Sequence, residues 1–127
     1  MAAQIKRPPT TVKAYLTQNF QRCIVSARER HFVVDGPAYA GGPQEAIHPT
    51  EAFLAGVASC ASLMVERLAK AAGYALRQAE VETSALVIPE EQPRDDLTLI
   101  TELDMHFDLY GVSEEQAAEL VKTFKER

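Results

Sequence analysis

The sequence is poor in basic charge and in cysteine, and it contains no tryptophan. Thirteen Lys and Arg residues face eighteen Asp and Glu residues, so the formal net charge is −5 and the pI is near 5.2. A binding surface for nucleic acid needs excess positive charge, so we expect no nucleic-acid partner. The sequence lacks glycine motifs for dinucleotides or phosphates, and its three histidines have no Cys or His at ligand spacing. It therefore predicts neither a metal nor a cofactor.

Long apolar runs are also scarce. The first residues, MAAQIKRPPTT, lack the apolar core of a signal peptide, and we expect no run elsewhere to be long enough to cross a membrane. We therefore expect a cytoplasmic protein with no membrane partner. In that compartment Cys23 and Cys60 are predicted to be reduced thiols.

One segment, residues 50–73, is almost free of charge in its first half. Between Ala52 and Val65 the only ionisable side chain is Cys60. A helix that is apolar on every side is expected to be buried, and Gly73 is a suitable residue to end it. Two interpretations of Cys60 follow. Its thiol is either an unreactive side chain that fills the core, or a functional group for which the helix is buried.

The N-terminal part alternates between apolar and polar residues in three short runs. After a predicted mobile arm at residues 1–10, residues 11–17, 22–28 and 31–35 are predicted to form an antiparallel three-stranded meander. Cys23 in the second strand is interpreted as a small core residue. Residues 36–48 hold three Gly and two Pro, so a long loop without regular structure is expected.

The C-terminal part predicts a β-hairpin and a second helix. Residues 80–87 and 97–109 alternate as strands, and the apolar face of the second strand needs a cover that the Cys60 helix can supply. His106 belongs to the polar face and is expected to be exposed. Residues 113–116 read as a capping box before an amphipathic helix. The fold class is therefore α+β, with one domain over residues 1–127.

The central helix presents a packing problem. A small sheet and one hairpin cannot easily surround a helix that is apolar on all sides. Burial against a second copy of the chain would solve this, so we expect a homodimer with the two helices at its centre.

At residues 49–60, PTEAFLAGVASC, the sequence resembles the OsmC/Ohr family of osmotically inducible and organic hydroperoxide resistance proteins. The likeness extends along nearly the whole chain: meander, glycine-rich loop, cysteine helix, hairpin and capped helix. It implies an OsmC-like fold and an intertwined homodimer with active sites at the interface. It also implies a thiol that reduces organic hydroperoxides and is resolved by a second cysteine.

The resemblance makes Cys60 the expected peroxidatic nucleophile of a thiol-dependent peroxidase in oxidative-stress defence. A thiolate attacks the peroxide bond, leaving a sulfenic acid that needs another thiol. The apolar residues Phe53, Val57 and Met64 would favour alkyl or fatty hydroperoxides as substrates. Two alternatives stay open: a non-enzymatic dimer that binds a small apolar molecule, and a one-cysteine redox protein resolved by an external thiol.

The sequence departs from the family pattern at three places. Thr50 follows the proline where a glutamate is expected, so Glu51 is the nearest candidate acid, and helical geometry places it opposite Cys60. Arg22 is the nearest candidate for the family's arginine. The family's resolving cysteine follows the second helix, and the sequence ends at Arg127 without one.

Overall fold

The computed structural model describes residues 7–127. The chain divides after Ala52 into two compact units, Met1–Ala52 and Phe53–Arg127, and only residues 7–52 of the first are described. The expected mobile arm lies partly outside the described residues, since residues 1–6 are not among them. Residues 7–10 are exposed and have no regular structure. The single domain over residues 1–127 stays a prediction.

The first unit contains the predicted meander. Strands β1 (Lys13–Leu16), β2 (Arg22–Ala27) and β3 (Arg30–Asp35) form an antiparallel sheet in the order β1-β2-β3. The turn between β2 and β3 has only two residues, Arg28 and Glu29, at φ values of 49° and 64°. Positive φ at both central residues is typical of the tight hairpin turn that suits twisted strands, and such a turn fixes the register.

The long loop is confirmed with one addition, a short 3₁₀ turn at Ala38–Ala40. The side chain of Gln44 accepts a hydrogen bond from the Ala38 N–H at 2.8 Å, which joins the start of the loop to its second half. The loop leads directly into helix α1 (Pro49–Ala72), which ends at Gly73 with φ of 75°. That positive φ is a conformation in which glycine is strongly favoured.

Helix α1 agrees with one expectation and corrects another. Only Ala61, Val65 and Ala69 of its 24 residues are buried, so the single chain does not bury the helix on all sides. The helix is also long enough to cross a membrane by length and composition, with a mean hydropathy of 1.4 over its most apolar stretch. The central helix of a water-soluble fold has the same composition, and the C-terminal half of α1 does pack into a core.

The second unit pairs strands β4 (Gln78–Leu86) and β5 (Glu102–Tyr110) in an antiparallel hairpin. Strand β5 is shorter than the predicted residues 97–109. The amide side chain of Gln92 bonds both backbone groups of Leu99, at 2.6 and 2.9 Å, and so takes the hydrogen bonds that a strand would use. Local competition from a side chain overrides the alternating pattern.

Helix α2 (Glu114–Lys125) starts with the predicted capping box, in which Ser113 and Gln116 exchange side-chain to backbone bonds, both of 3.1 Å. The core of the unit consists of Val65, Ala69 and Leu120. Half-buried residues of β5 and α2 pack around it, among them Phe107 and Phe124 with ring centroids 5.6 Å apart. Phe107 and Leu109 of β5 therefore contact the core to which α1 contributes, whereas Leu103 on the same strand is 41% exposed, so the expected cover extends over only part of β5. The α+β fold class is confirmed.

Candidate functional site

Helix α1 carries the expected nucleophile and substrate-binding residues on one face. Phe53, Val57, Cys60 and Met64 follow one another at spacings of four, three and four residues, which is the repeat of a single helical stripe. Phe53 is 57% exposed and Cys60 is exposed, while Val57 and Met64 are half-buried. In the second unit the thiol is thus accessible on an apolar face.

An open groove of about 450 Å³ lies at the C-terminal end of this stripe, lined by Cys60, Leu63, Met64, Glu66 and Arg67. The candidate substrate-binding residues Phe53 and Val57 do not line it. The guanidinium of Arg67 donates a hydrogen bond to the Met64 sulfur at 3.4 Å, so one cation lies at the end of the stripe away from Phe53. Among residues 7–127 no group donates a hydrogen bond to the Cys60 sulfur. Arg67 is two turns, about 10 Å, along the helix from Cys60.

Arg22 is held by carboxylates in the first unit. Its guanidinium donates two hydrogen bonds to Asp35, at 2.7 and 2.8 Å, and a third to Glu45 at 3.3 Å. The bond to Asp35 raises the pKa of Arg22, and the same bond lowers the pKa of Asp35 well below its ordinary value despite burial. This bidentate pairing leaves Arg22 engaged within its own unit.

Asp35 is a residue that the sequence interpretation missed. It is fully buried, and its carboxylate also accepts the backbone N–H groups of Glu45 and Ala46 at 3.1 and 2.9 Å. Asp35 thereby joins the end of β3 to the end of the long loop. The signal was present, because a two-residue turn at residues 28–29 pairs position 22 with position 35.

Glu51 serves the start of helix α1. Its carboxylate accepts the backbone N–H of His48 at 3.0 Å and lies 3.3 Å from the ring Nε2 of the same histidine. An acid in the first turn, bonded to the residue before the helix, complements the positive helix end. This contact gives Glu51 a capping function at the end of the first unit.

The remaining candidates, Cys23 and His106, lie on different strands and do not form a reactive cluster with each other. Cys23 is half-buried in the central strand, paired in register with Leu16 and Val34. His106 is exposed on β5, as predicted, with its Nε2 3.2 Å from Asp108. Within the described residues 7–127, no cluster of three or more His, Cys, Asp and Glu side chains could hold a metal ion.

The chain was compared with protein-family models, with curated proteins and with solved structures. A family model described as OsmC-like protein matches residues 42–127. A search of the curated proteins found no match to this chain.

Solved structures resemble the chain along most of its length. An OsmC-like protein from Mycoplasma pneumoniae is similar with a TM-score of 0.80 and 16% identity, over 96% of this chain and 84% of that one. A Legionella pneumophila protein described as an organic hydroperoxide resistance protein, OsmC, has a TM-score of 0.73 and 19% identity. That likeness covers 96% of this chain and 85% of the Legionella chain. At such identities the likeness concerns the fold.

Proposed function

The chain belongs to the OsmC-like protein family, and we propose that it is a thiol-dependent peroxidase that reduces organic hydroperoxides with Cys60 as nucleophile. The observation that carries the proposal is the position of Cys60, exposed in an open groove beside Leu63 and Met64. Apolar walls beside an accessible thiol favour an alkyl or fatty hydroperoxide over hydrogen peroxide. The described relative from Legionella pneumophila carries a name that agrees with this chemistry.

The reaction needs one peroxide and two equivalents of reducing thiol. The Cys60 thiolate attacks the terminal oxygen of ROOH, the O–O bond breaks, and the leaving alkoxide takes a proton to become ROH. Cys60 is left as a sulfenic acid. One external thiol then condenses with it to a mixed disulfide and releases water, and a second external thiol frees Cys60 and forms the external disulfide.

We assign resolution to an external thiol because of the surroundings of the other cysteine. Cys23 is half-buried in the middle strand of the first unit, where it is flanked by its neighbours Leu16 and Val34. A thiol in that setting is a packing residue. A small dithiol would therefore support turnover, with no need for an internal disulfide.

The peroxidase proposal is tested by peroxide consumption. The protein is mixed with cumene hydroperoxide and dithiothreitol, and wild type is compared with Cys60→Ser and with the matched variant Cys23→Ser. We expect Cys60→Ser to lose essentially all activity, because the nucleophile is removed, and Cys23→Ser to keep it.

Equal consumption by wild type and Cys60→Ser would contradict the proposal. If Cys60 also stays unmodified after peroxide is added, as judged by sulfenic-acid trapping and mass spectrometry, the alternative gains support. That alternative is a non-enzymatic dimer that binds a small apolar molecule beside Cys60.

The working form is proposed to be a homodimer. Apolar side chains that a single copy leaves open include Phe53 on α1, at 57% exposure, and Leu16 on β1, at 84%. A second copy covering the Phe53 end of the apolar face of α1, with the groove beside Cys60 left open, would remove such surface from water. Sedimentation should show a dimer, and Phe53→Asp should shift it toward monomer at micromolar concentration; a monomeric wild type would contradict this.

A further inference from the structure

Met64 is a second sulfur atom in the groove that contains Cys60. Both residues line this groove, and they lie four positions apart on α1, so their side chains are neighbours on one face of the helix. Cys60 is exposed and Met64 is half-buried. A peroxide that enters the groove and reaches the thiol therefore also meets a thioether, which peroxides oxidise to a sulfoxide.

The guanidinium of Arg67 lies against this thioether. It donates a hydrogen bond to the Met64 Sδ at 3.4 Å. Arg67 is exposed, lines the same groove and forms no salt bridge with any of residues 7–127. The other N–H groups of its guanidinium are therefore available to a further acceptor beside the sulfur.

These contacts distinguish Met64 from Met105, the other methionine among residues 7–127. Met105 is also half-buried, on strand β5 opposite Thr83. It does not line the Cys60 groove, and within the described part of the chain no group donates a hydrogen bond to its sulfur. The two sulfurs thus differ in their access to the groove and in the nearby cation, which makes Met105 an internal reference.

Oxidation of Met64 is a balanced oxygen transfer from one organic hydroperoxide. A sulfur lone pair attacks the terminal oxygen of ROOH, an S–O bond forms and the O–O bond breaks. The sulfur is oxidised to the sulfoxide, and the hydroperoxide is reduced to ROH when the leaving alkoxide takes the proton of the terminal O–H. Until that proton arrives, an N–H group of Arg67 stabilises the negative charge on the leaving oxygen.

The contact with Arg67 also determines which side of the sulfur reacts. A thioether sulfur has two lone pairs, and oxygen added to one or to the other gives opposite epimers of the sulfoxide. Because the guanidinium of Arg67 covers one lone pair of Met64, the peroxide reaches the other. One epimer should therefore form in excess.

We propose that Met64 is an oxidation site, at which an organic hydroperoxide in the groove transfers an oxygen atom to the sulfur with the assistance of Arg67. The proposal goes beyond the peroxidase function, because the oxygen acceptor is a thioether and the step needs no thiolate. Methionine sulfoxide is reduced back by dedicated reductases, so the modification is reversible.

The test compares the oxidation rates of Met64 and Met105 in the same protein. Cys60→Ser is treated with cumene hydroperoxide without a reductant, and the sulfoxide at each methionine is followed by peptide mass spectrometry. We expect Met64 to be oxidised about tenfold faster than Met105, since one charge-assisted hydrogen bond to the leaving oxygen lowers the barrier by an amount of that order. Equal rates, or a faster rate at Met105, would overturn the proposal.

Variants of Arg67 separate the effect of the guanidinium from that of access to the groove. In the Cys60→Ser background, Arg67→Leu should lower the Met64 rate about fivefold, whereas Arg67→Lys, which retains a cation, should keep most of it. Arg77→Leu is the matched control, because Arg77 is exposed and does not line this groove, so both methionine rates should stay the same. A Met64 rate that Arg67→Leu leaves unchanged or increases contradicts the assistance by Arg67.

The ratio of epimers is a readout that access alone does not set. After digestion, the oxidised Met64 peptide is treated with methionine sulfoxide reductase A or B, each of which reduces one epimer. We expect one enzyme to remove most of the sulfoxide formed in Cys60→Ser, and each enzyme to remove a similar share in Cys60→Ser/Arg67→Leu. An even mixture of epimers in Cys60→Ser would show that Arg67 does not direct the oxygen.

Failure of this proposal is distinguishable from failure of the peroxidase. The rates are measured in a variant without Cys60, so they do not depend on whether the thiol reduces peroxides. Fast oxidation of Met64 supports the site even if wild type and Cys60→Ser consume cumene hydroperoxide equally in the presence of dithiothreitol. Oxidation of Met64 no faster than that of Met105 refutes it even if the thiol is active.

Discussion

Each of the two compact units is centred on a fully buried side chain, and the two side chains are chemical opposites. In Phe53–Arg127 that residue is Val65, which packs with Ala69 and Leu120. In Met1–Ala52 it is Asp35, a carboxylate enclosed by a guanidinium and two backbone N–H groups. One centre excludes polar groups, and the other is a network of polar groups next to the buried side chain of Val34.

The difference teaches how each unit responds to change. Burial of apolar side chains is almost independent of pH and fails gradually as methylene groups are removed. A buried carboxylate is stable only while its partners are present and its charge is kept, because an unpaired buried charge is costly. The second unit should therefore be sensitive to side-chain volume, and the first to acid.

The largest effect is expected at the apolar centre. Leu120 is 3% exposed and contacts the buried part of α1, so Leu120→Ala removes buried methyl groups and leaves a cavity. We expect a loss of about 3 kcal/mol in the free energy of unfolding. Urea denaturation followed by circular dichroism measures it.

The control is a leucine of the same unit outside the core. Both leucine variants are made in the Phe53→Asp background, which is expected to be monomeric. Leu63 is 61% exposed, so Leu63→Ala should change the free energy of unfolding there by less than about 0.5 kcal/mol. If Leu63→Ala and Leu120→Ala lowered the free energy of unfolding by similar amounts, the core would not lie where Leu120 packs.

Much of this fold was predictable because its signals are local. Two-residue periodicity identified β4 and most of β5, and the pattern at residues 113–116 predicted the cap that Ser113 and Gln116 form. Residues 97–101 were assigned wrongly to a strand, because the competing bonds come from the side chain of Gln92. Periodicity contains no information about such a competitor.

The candidate site was predictable only in part. Composition identified the apolar segment around Cys60. The accessibility of the Cys60 thiol depends on which residues of α1 the rest of the chain covers, and composition does not contain that information. Apolar composition indicates that α1 avoids water, yet it does not say which surface covers it. Arg22 was considered as a catalytic cation, whereas strand register pairs it with Asp35, a contact that depends on the tight turn between β2 and β3.

The polar centre leads to a smaller effect that depends on pH. The Arg22 guanidinium, helped by the backbone N–H groups of Ala46 and Glu45, holds the pKa of Asp35 well below its ordinary value of 3.8, although burial opposes this. A carboxylate whose pKa is lowered by folding adds stability above its unfolded pKa. That stability is lost as pH falls below about 4 toward the folded value.

As the pH falls from about 5 to 2, the melting temperature of wild type should therefore fall further than that of Asp35→Asn, because the variant lacks the contribution of the Asp35 carboxylate. At pH 7 the variant should already melt several degrees lower, because Arg22 keeps only the weaker contact to exposed Glu45. Asp96→Asn makes the same chemical change in an exposed pair with Arg94, so it should melt like wild type at every pH. Since amide and carboxylate have nearly the same shape, an acid response in Asp35→Asn as steep as that of wild type would place the sensitive carboxylate elsewhere. The first unit would then not be centred on a charge.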